Sequence, residues 1–334
     1  MAAGLTWEQQ PSLERPLLVA AFSGWNDAGD AATGAADWLL RHGHGPRIAW
    51  IDPDEYVDYQ SRRPTVELTD GVTRAITWPA TEIHAASVAG RDLVIVQGVE
   101  PNLRWREYCA AIIEVAGATG CELVVTLGAL IGDVVHTRDI PVTGTATDPE
   151  LLDRLDLTRS QYEGPTGIVG VLHDACREAG IGSVSLWAPV PHYVSSPPNP
   201  VATRALLARL GRLADLRLDL HGLEELVDMW RTQVDRAVED NDELEDYIRG
   251  IELQMDARAP STPRTTVSGS ARSAATTSPA SSSSSCGSRA RRSSSPSGRP
   301  DQPSRSRATA SHSIVESLSD SWSTRSSLPW NIAA

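Results

Sequence analysis

Between an apolar run and an amphipathic one, the segment SGWNDAGD brings Trp25, Asn26, Asp27 and Asp30 into a single loop. An aromatic ring, an amide and two carboxylates suit a sugar, a nucleobase or a cation. A phosphate is a poor fit. GWNDAG lacks the Lys and Ser or Thr of a P-loop, no GxGxxG is present, and two aspartates put negative charge where a phosphate needs amide donors. The same aspartates serve a helix well, because an acid at the N-cap or in the first turn satisfies unpaired N–H groups and complements the helix dipole. Turn and capping duty is the favoured role for the loop, with ligand binding beside it.

Further polar groups follow other apolar runs. Glu100, Asn102 and Arg104 come after DLVIVQG, His136 and Arg138 after ELVVTLGAL, and His192 after SVSLWAPV. The turn GPTG at 164–167 leads into a helical pattern and offers backbone amides. On parallel neighbouring strands all of these would share one rim. In a catalytic arrangement His136 or His192 would be a general base and Arg104 or Arg138 an anion clamp. No GxSxG elbow, HExxH or Cys–His signature accompanies them, so no catalytic residue is assigned. Tying down rim loops or building a subunit interface is the favoured role.

The elements that must position these groups are legible as five continuous apolar runs, Pro16–Phe22, Arg47–Ile51, Asp92–Gly98, Glu122–Leu130 and Ser183–Val190. Continuous rather than alternating runs are strands covered on both faces. Helical patterns lie between or after them at 30–41, 105–119, 167–179 and 200–213. The alternation predicts a three-layer α/β/α sandwich with a mostly parallel central sheet. Residues 55–79 alternate around the turn TDGVT and predict a hairpin laid against that sheet.

The chain has 334 residues and a net charge of −13, which argues against nucleic acid as a partner. Residues 1–260 carry 40 acids against 21 arginines, and residues 261–334 carry 3 against 9. There is no lysine, a bias expected of a GC-rich genome. Four cysteines form no CxxC pair and no zinc spacing, so neither metal nor cofactor is expected. No signal peptide or membrane-length apolar segment is seen, which predicts a cytoplasmic protein.

Residues 222–257 form an acidic helical segment. Leu223, Val227, Trp230, Val234, Ala237, Asn241 and onward to Met255 keep a 4-3 spacing, with Tyr247 beside the seam. This is either a coiled coil whose polar member Asn241 fixes register, or two helices joined near EDND and packed on the body or on each other. Both make Trp230, Asn241 and Tyr247 candidates for a protein-contact arm. The expected division is a flexible N-terminus at 1–15, an α/β domain at 16–221, the acidic arm at 222–257 and a Ser/Arg-rich tail at 258–334. The tail's composition predicts disorder and raises out-of-frame translation of a GC-rich gene end.

In order, FSGWNDAGDAA, GVEPNLRWREYC, LGALIGDVVHTRDIPVTG, YEGPTGIVGVLHDAC and WAPVPHYVSSPPNPVAT resemble the actinobacterial branch of the proteasome assembly chaperone 2 family, over roughly residues 16–257. The resemblance implies a sandwich like that of purine nucleoside phosphorylases, self-association often as trimers, and no established enzymatic activity. It also implies, from eukaryotic and archaeal members, proteasome α-subunits as partners. Two departures stand out. Archaeal relatives dock through a C-terminal hydrophobic-Tyr-X ending where this chain reads PWNIAA, and the serine tail replaces a short helix found in bacterial relatives. The leading expectation is a non-enzymatic assembly factor. The alternative is a protein or enzyme that takes a nucleoside-like small molecule in the crevice at the strand ends.

Overall fold

Apolar runs with no polar face need cover on both sides, and each of the five predicted runs is a strand. The computed structural model describes residues 3–43, 45–69, 73–154, 158–160, 162–239 and 241–258. The tail from 259 onward therefore lies outside the described residues. In chain order the elements are β1 (Leu5–Trp7), β2 (Leu17–Ser23), α1 (Ala31–Gly43), β3 (Arg47–Ile51), β4 (Thr65–Thr69), β5 (Thr73–Thr77), β6 (Thr81–Val88), β7 (Arg91–Val99) and α2 (Trp105–Ala118). There follow β8 (Leu123–Gly132), β9 (Thr143–Ala146), α3 (Pro149–Arg154), β10 (Thr158–Arg159), α4 (Ile168–Glu178), β11 (Ser183–Pro191), α5 (Pro200–Ala214), α6 (His221–Glu239) and α7 (Asp242–Arg258).

The main sheet has nine strands in the order β1-β3-β6-β7-β2-β8-β11-β9-β10. Its centre, β7-β2-β8-β11, is parallel. The flanks differ from the mostly parallel sheet expected: β6, β3 and β1 are joined by antiparallel pairings on one side, and β9 runs antiparallel to β11 on the other. The sheet is mixed. At β6 and β7 the reason is local, since the two strands are joined by Ala89 and Gly90 alone, at φ 50° and 81°. A two-residue turn with both φ positive twists with the strands and forces antiparallel pairing.

Strand β2 shows how the pleat makes two cores. Leu17, Val19 and Ala21 enter the core under α1, α5, α6 and α7, while Leu18, Ala20 and Phe22 enter the core under α2 and α4. The result is helices on both faces of one sheet.

Two features depart from expectation, and a third settles an alternative. The first fifteen residues, expected to be flexible, include the edge strand β1, paired with β3. Strands β4 and β5 form a hairpin of their own rather than lying on the main sheet, and Val66, Leu68 and Ile76 stay exposed. Its turn at 70–72 lies outside the described residues. The 4-3 seam is divided between two helices, so of the two arrangements left open the jointed one is found. Leu223, Val227, Trp230, Val234, Ile248 and Ile251 are all buried in the same core as the sheet. Asn241 sits at the joint as the cap of α7, its Oδ1 accepting the Leu244 N–H at 3.1 Å. Among the described residues no helix is long and apolar enough to cross a membrane.

Candidate functional site

The rim residues are placed by the carboxyl ends of the parallel strands, where open α/β sheets gather polar groups. Among the described residues they fall into three separate networks, held by hydrogen bonds, ion pairs and a ring contact within the chain.

The first lies at the end of β2. Asp27 is buried and faces the start of α1, where Oδ1 accepts from the N–H of Ala32 at 2.7 Å and of Thr33 at 3.3 Å, and Oδ2 accepts from the Thr33 hydroxyl. Burial raises the Asp27 carboxyl to about 6 against the pull of these bonds. Gly29, at φ 61°, lets the chain turn into the helix, and Asp30 follows at φ 49° on the exposed side. Asn26 is fully buried and donates to Glu100 Oε1 at 2.7 Å. The same Oε1 accepts the Ile168 N–H at 2.9 Å, so Glu100 puts a carboxylate at the N-terminus of α4. A Cβ on Gly167 would lie 2.7 Å from that oxygen and closer still to Asn26 Oδ1, which is why the GPTG turn ends in glycine.

The second network lies after β7. Asn102 Oδ1 accepts the Asp58 N–H at 2.8 Å. Arg104, at φ 53°, pairs with Glu55 and Glu107 on the surface and lies 5.8 Å from the Tyr56 ring centroid. Its guanidinium is thus engaged by acids of its own chain.

The third network is where α6 and α7 dock. His136 is buried, with Nδ1 2.7 Å from the Tyr193 hydroxyl and Nε2 2.9 Å from Asp235 Oδ1 on α6. Arg138 reaches Asp256 through two bonds of 3.2 Å and Glu252 through another of 3.2 Å, all on α7. The His192 ring meets Tyr247 of α7 edge to face at 5.0 Å. A residue whose type suggested an anion clamp therefore binds the acidic helices of its own chain. Trp230 is only 4% exposed, so it serves the core under α6.

Of the predicted rim residues, Trp25 stands apart. It is 65% exposed and borders an open cavity with residues of β8, β9, α4 and β11. Of that cavity's other walls the sequence singled out the GPTG turn, through Pro165 and Thr166, and missed β11, because Trp187 and Ser185 read as ordinary members of a buried strand. The weak signal was a tryptophan in SLWAPV paired with a glycine in VVTLGAL.

Burial pushes the thiols of Cys109 up to about 12 and of Cys176 and Cys121 up to about 11, which leaves them protonated and poor nucleophiles. Cys286 lies outside the described residues. Among the described residues no group of three or more His, Cys, Asp or Glu could hold a metal ion.

Comparison with known proteins places this geometry in a lineage. A PAC2 family protein from Streptomyces avermitilis is 50% identical, with a TM-score of 0.66 over 70% of this chain and 99% of its own. A proteasome-assembly chaperone homologue from Mycobacterium tuberculosis is 44% identical, with a TM-score of 0.65 over 70% and 99%. An archaeal proteasome activator from Pyrococcus furiosus, PbaB, is 16% identical and shares the fold, at a TM-score of 0.58 over 71% and 99%. No curated protein matches the chain. Residues 21–238 match the PAC2 family model, and that span holds all three networks apart from the α7 residues: the chain belongs to the PAC2 family, with actinobacterial proteins among its relatives.

Proposed function

We propose that the chain is a non-enzymatic, self-associating assembly factor that contacts proteasome subunits, with α-subunits as the expected partner. The observation that carries this is the 44% identity, over 99% of its length, with a proteasome-assembly chaperone homologue. The closure of the rim supports it, since His136, Arg104 and Arg138 spend their hydrogen bonds on the chain itself. The layered sandwich is compatible with a phosphorylase-like fold, but one scaffold hosts unrelated functions and the fold alone supports no activity.

The partner surface in this proposal is the outer face of the acidic helices, where Glu224, Glu225, Asp228 and Glu243 are exposed while the opposite face is buried in the core. An interface built on such charges forms quickly and is screened by salt. Self-association, with a trimer as the expected form, is assigned to the exposed hairpin β4–β5, and the protein is expected to work in the cytoplasm.

Native mass spectrometry of the full chain captured from its own host tests the reading. Co-purifying α-subunits or part-built particles, lost at high salt or on charge reversal of Glu224, Glu225 and Asp228, are the expected result. Capture that yields no proteasome subunit at low salt would overturn it.

A further inference from the structure

Beside Trp25 the sheet leaves a cavity of about 750 Å³ that none of the three networks uses. Its walls come from the β2–α1 loop, the end of β8, strand β9, the segment before α4, α4 itself, and β11. Pockets of 300–1,000 Å³ are the size that encloses a small organic ligand.

The lining chemistry is specific. Three aromatic side chains, Trp25, Tyr162 and Trp187, border it together with the hydroxyls of Thr143, Thr145 and Ser185. Among the described residues no Asp, Glu or Arg lines it. Its one titratable imidazole, His173, has Nδ1 engaged with Ser183 Oγ at 2.9 Å, and burial lowers its pKa, so it stays neutral near pH 7. A wall whose described lining residues are uncharged penalises a charged ligand, which would lose hydration there without gaining a counter-ion from them.

The wall is also held in place. Trp187 faces Gly128 in register on the neighbouring strand, and its six-membered ring fills the space a side chain there would take: a Cβ on Gly128 would lie 2.7 Å from Cε3 and Cζ3. The indole N–H is satisfied by Ser185 Oγ at 2.9 Å. A ring fixed by a glycine on one side and a hydrogen bond at its edge costs little to order when a second ring stacks on it. Trp25, mostly exposed, borders the same cavity from the β2–α1 loop.

We infer that this cavity binds an uncharged aromatic compound carrying one or two hydroxyl or amide groups. The inference is independent of the proteasome reading, because the site shares no residue with the acidic helices.

The probe is 1-naphthol, compared with 1-naphthyl phosphate, titrated into the full chain by calorimetry. Saturable binding of the neutral probe is expected, about tenfold or more tighter than the phosphate. Trp25→Ala, at an exposed position that leaves the fold intact, is expected to weaken it about fivefold by removing one aromatic wall. Thr145→Trp, which fills the cavity from β9 with a residue that favours strands, is expected to abolish it. Absence of binding to the unmodified chain, equal or tighter binding of the phosphate, or naphthol binding that survives both substitutions would each overturn the inference. Circular dichroism checks that both variants are folded, and no proteasome subunit enters the experiment.

Discussion

Nε2 of His136 lies 2.9 Å from Oδ1 of Asp235, although 99 positions separate the two residues along the chain. Asp235 fixes the tautomer: Nε2 carries the proton and donates to the carboxylate, Nδ1 accepts from the Tyr193 hydroxyl, and the Tyr193 oxygen in turn accepts the His136 N–H at 3.0 Å. Every donor has an acceptor only while the imidazole is neutral. A second proton on Nδ1 would leave the Tyr193 hydroxyl hydrogen without its partner.

Burial is the larger influence on this ring and holds His136 below the ordinary histidine pKa, with Asp235 pulling the other way. The unfolded chain therefore binds more protons than the folded one, and stability is full above about pH 6.5 and lost as pH falls through the folded value. Asp27 has the opposite sign, since its carboxyl is raised to about 6 and its contribution weakens as pH rises through that value, while His173 shares the sign of His136. The expected outcome is that the melting temperature falls from pH 7.5 to pH 5.5, and falls less in His136→Asn. Scanning calorimetry at the two pH values checks it, and an unchanged difference in the variant would remove His136 as the cause.

Trp230, buried at 4% exposure in the core shared with the sheet, makes α6 part of the fold. Trp230→Ala is expected to cost about 3–5 kcal/mol, the usual price of truncating a buried large aromatic. Deleting 222–257 also removes Leu223, Val227, Val234 and Ile248 from that core, so unfolding is the expected outcome rather than loss of an appendage. Urea denaturation of the substitution and near-ultraviolet circular dichroism of the deletion measure both. A deletion that kept a native spectrum would show the helices to be dispensable.

Gly167 is expected to tolerate no side chain, because a Cβ there meets Asn26 Oδ1 and Glu100 Oε1 together. Gly167→Ala should lower stability by about 1–3 kcal/mol, the range for leaving buried polar groups without their partners. Glu100→Ala should do the same by stripping the acceptor from the Asn26 amide and the Ile168 N–H. The double variant should cost less than the sum, since both break one network. Additive losses in urea titrations would mean that the two residues act separately.

How much of this was legible in the sequence depended on the range of the interaction. The five buried strands and the helices between them follow from runs of apolar side chains, a property of neighbours. Strand β6 was missed although its TEIHAASV alternates, because its partner is declared only by the Ala89–Gly90 turn, which needs positive φ at an alanine. The seam through Asn241 kept its spacing across a break because α6 and α7 bury their apolar faces in one core, so a cap and a register-setting polar residue look alike. For the rim, residue type predicted chemistry that contact removed. Arg138 could clamp an anion, and nothing in HTRD says that the anions are Glu252 and Asp256 of the same chain.

The hairpin β4–β5 offers the last prediction. Its register sets Val66 opposite Ile76 and Leu68 opposite Arg74, which puts Val66, Leu68 and Ile76 on one face, with Trp78 two residues further along the same strand direction. All are exposed, Leu68 at 62%. A two-stranded sheet with water on both faces is marginal at best, so an apolar face of this kind needs cover. A second copy of the chain supplies it in the self-association proposed above. Val66→Glu combined with Ile76→Glu would place like charges on every copy's face while removing no contact within the chain's core. The expected outcome is a shift to the monomer mass in light scattering at an unchanged melting temperature of the isolated chain. An oligomer that persists in the double variant would place the subunit interface elsewhere, since two buried carboxylates without partners could not be accommodated in a face that copies share.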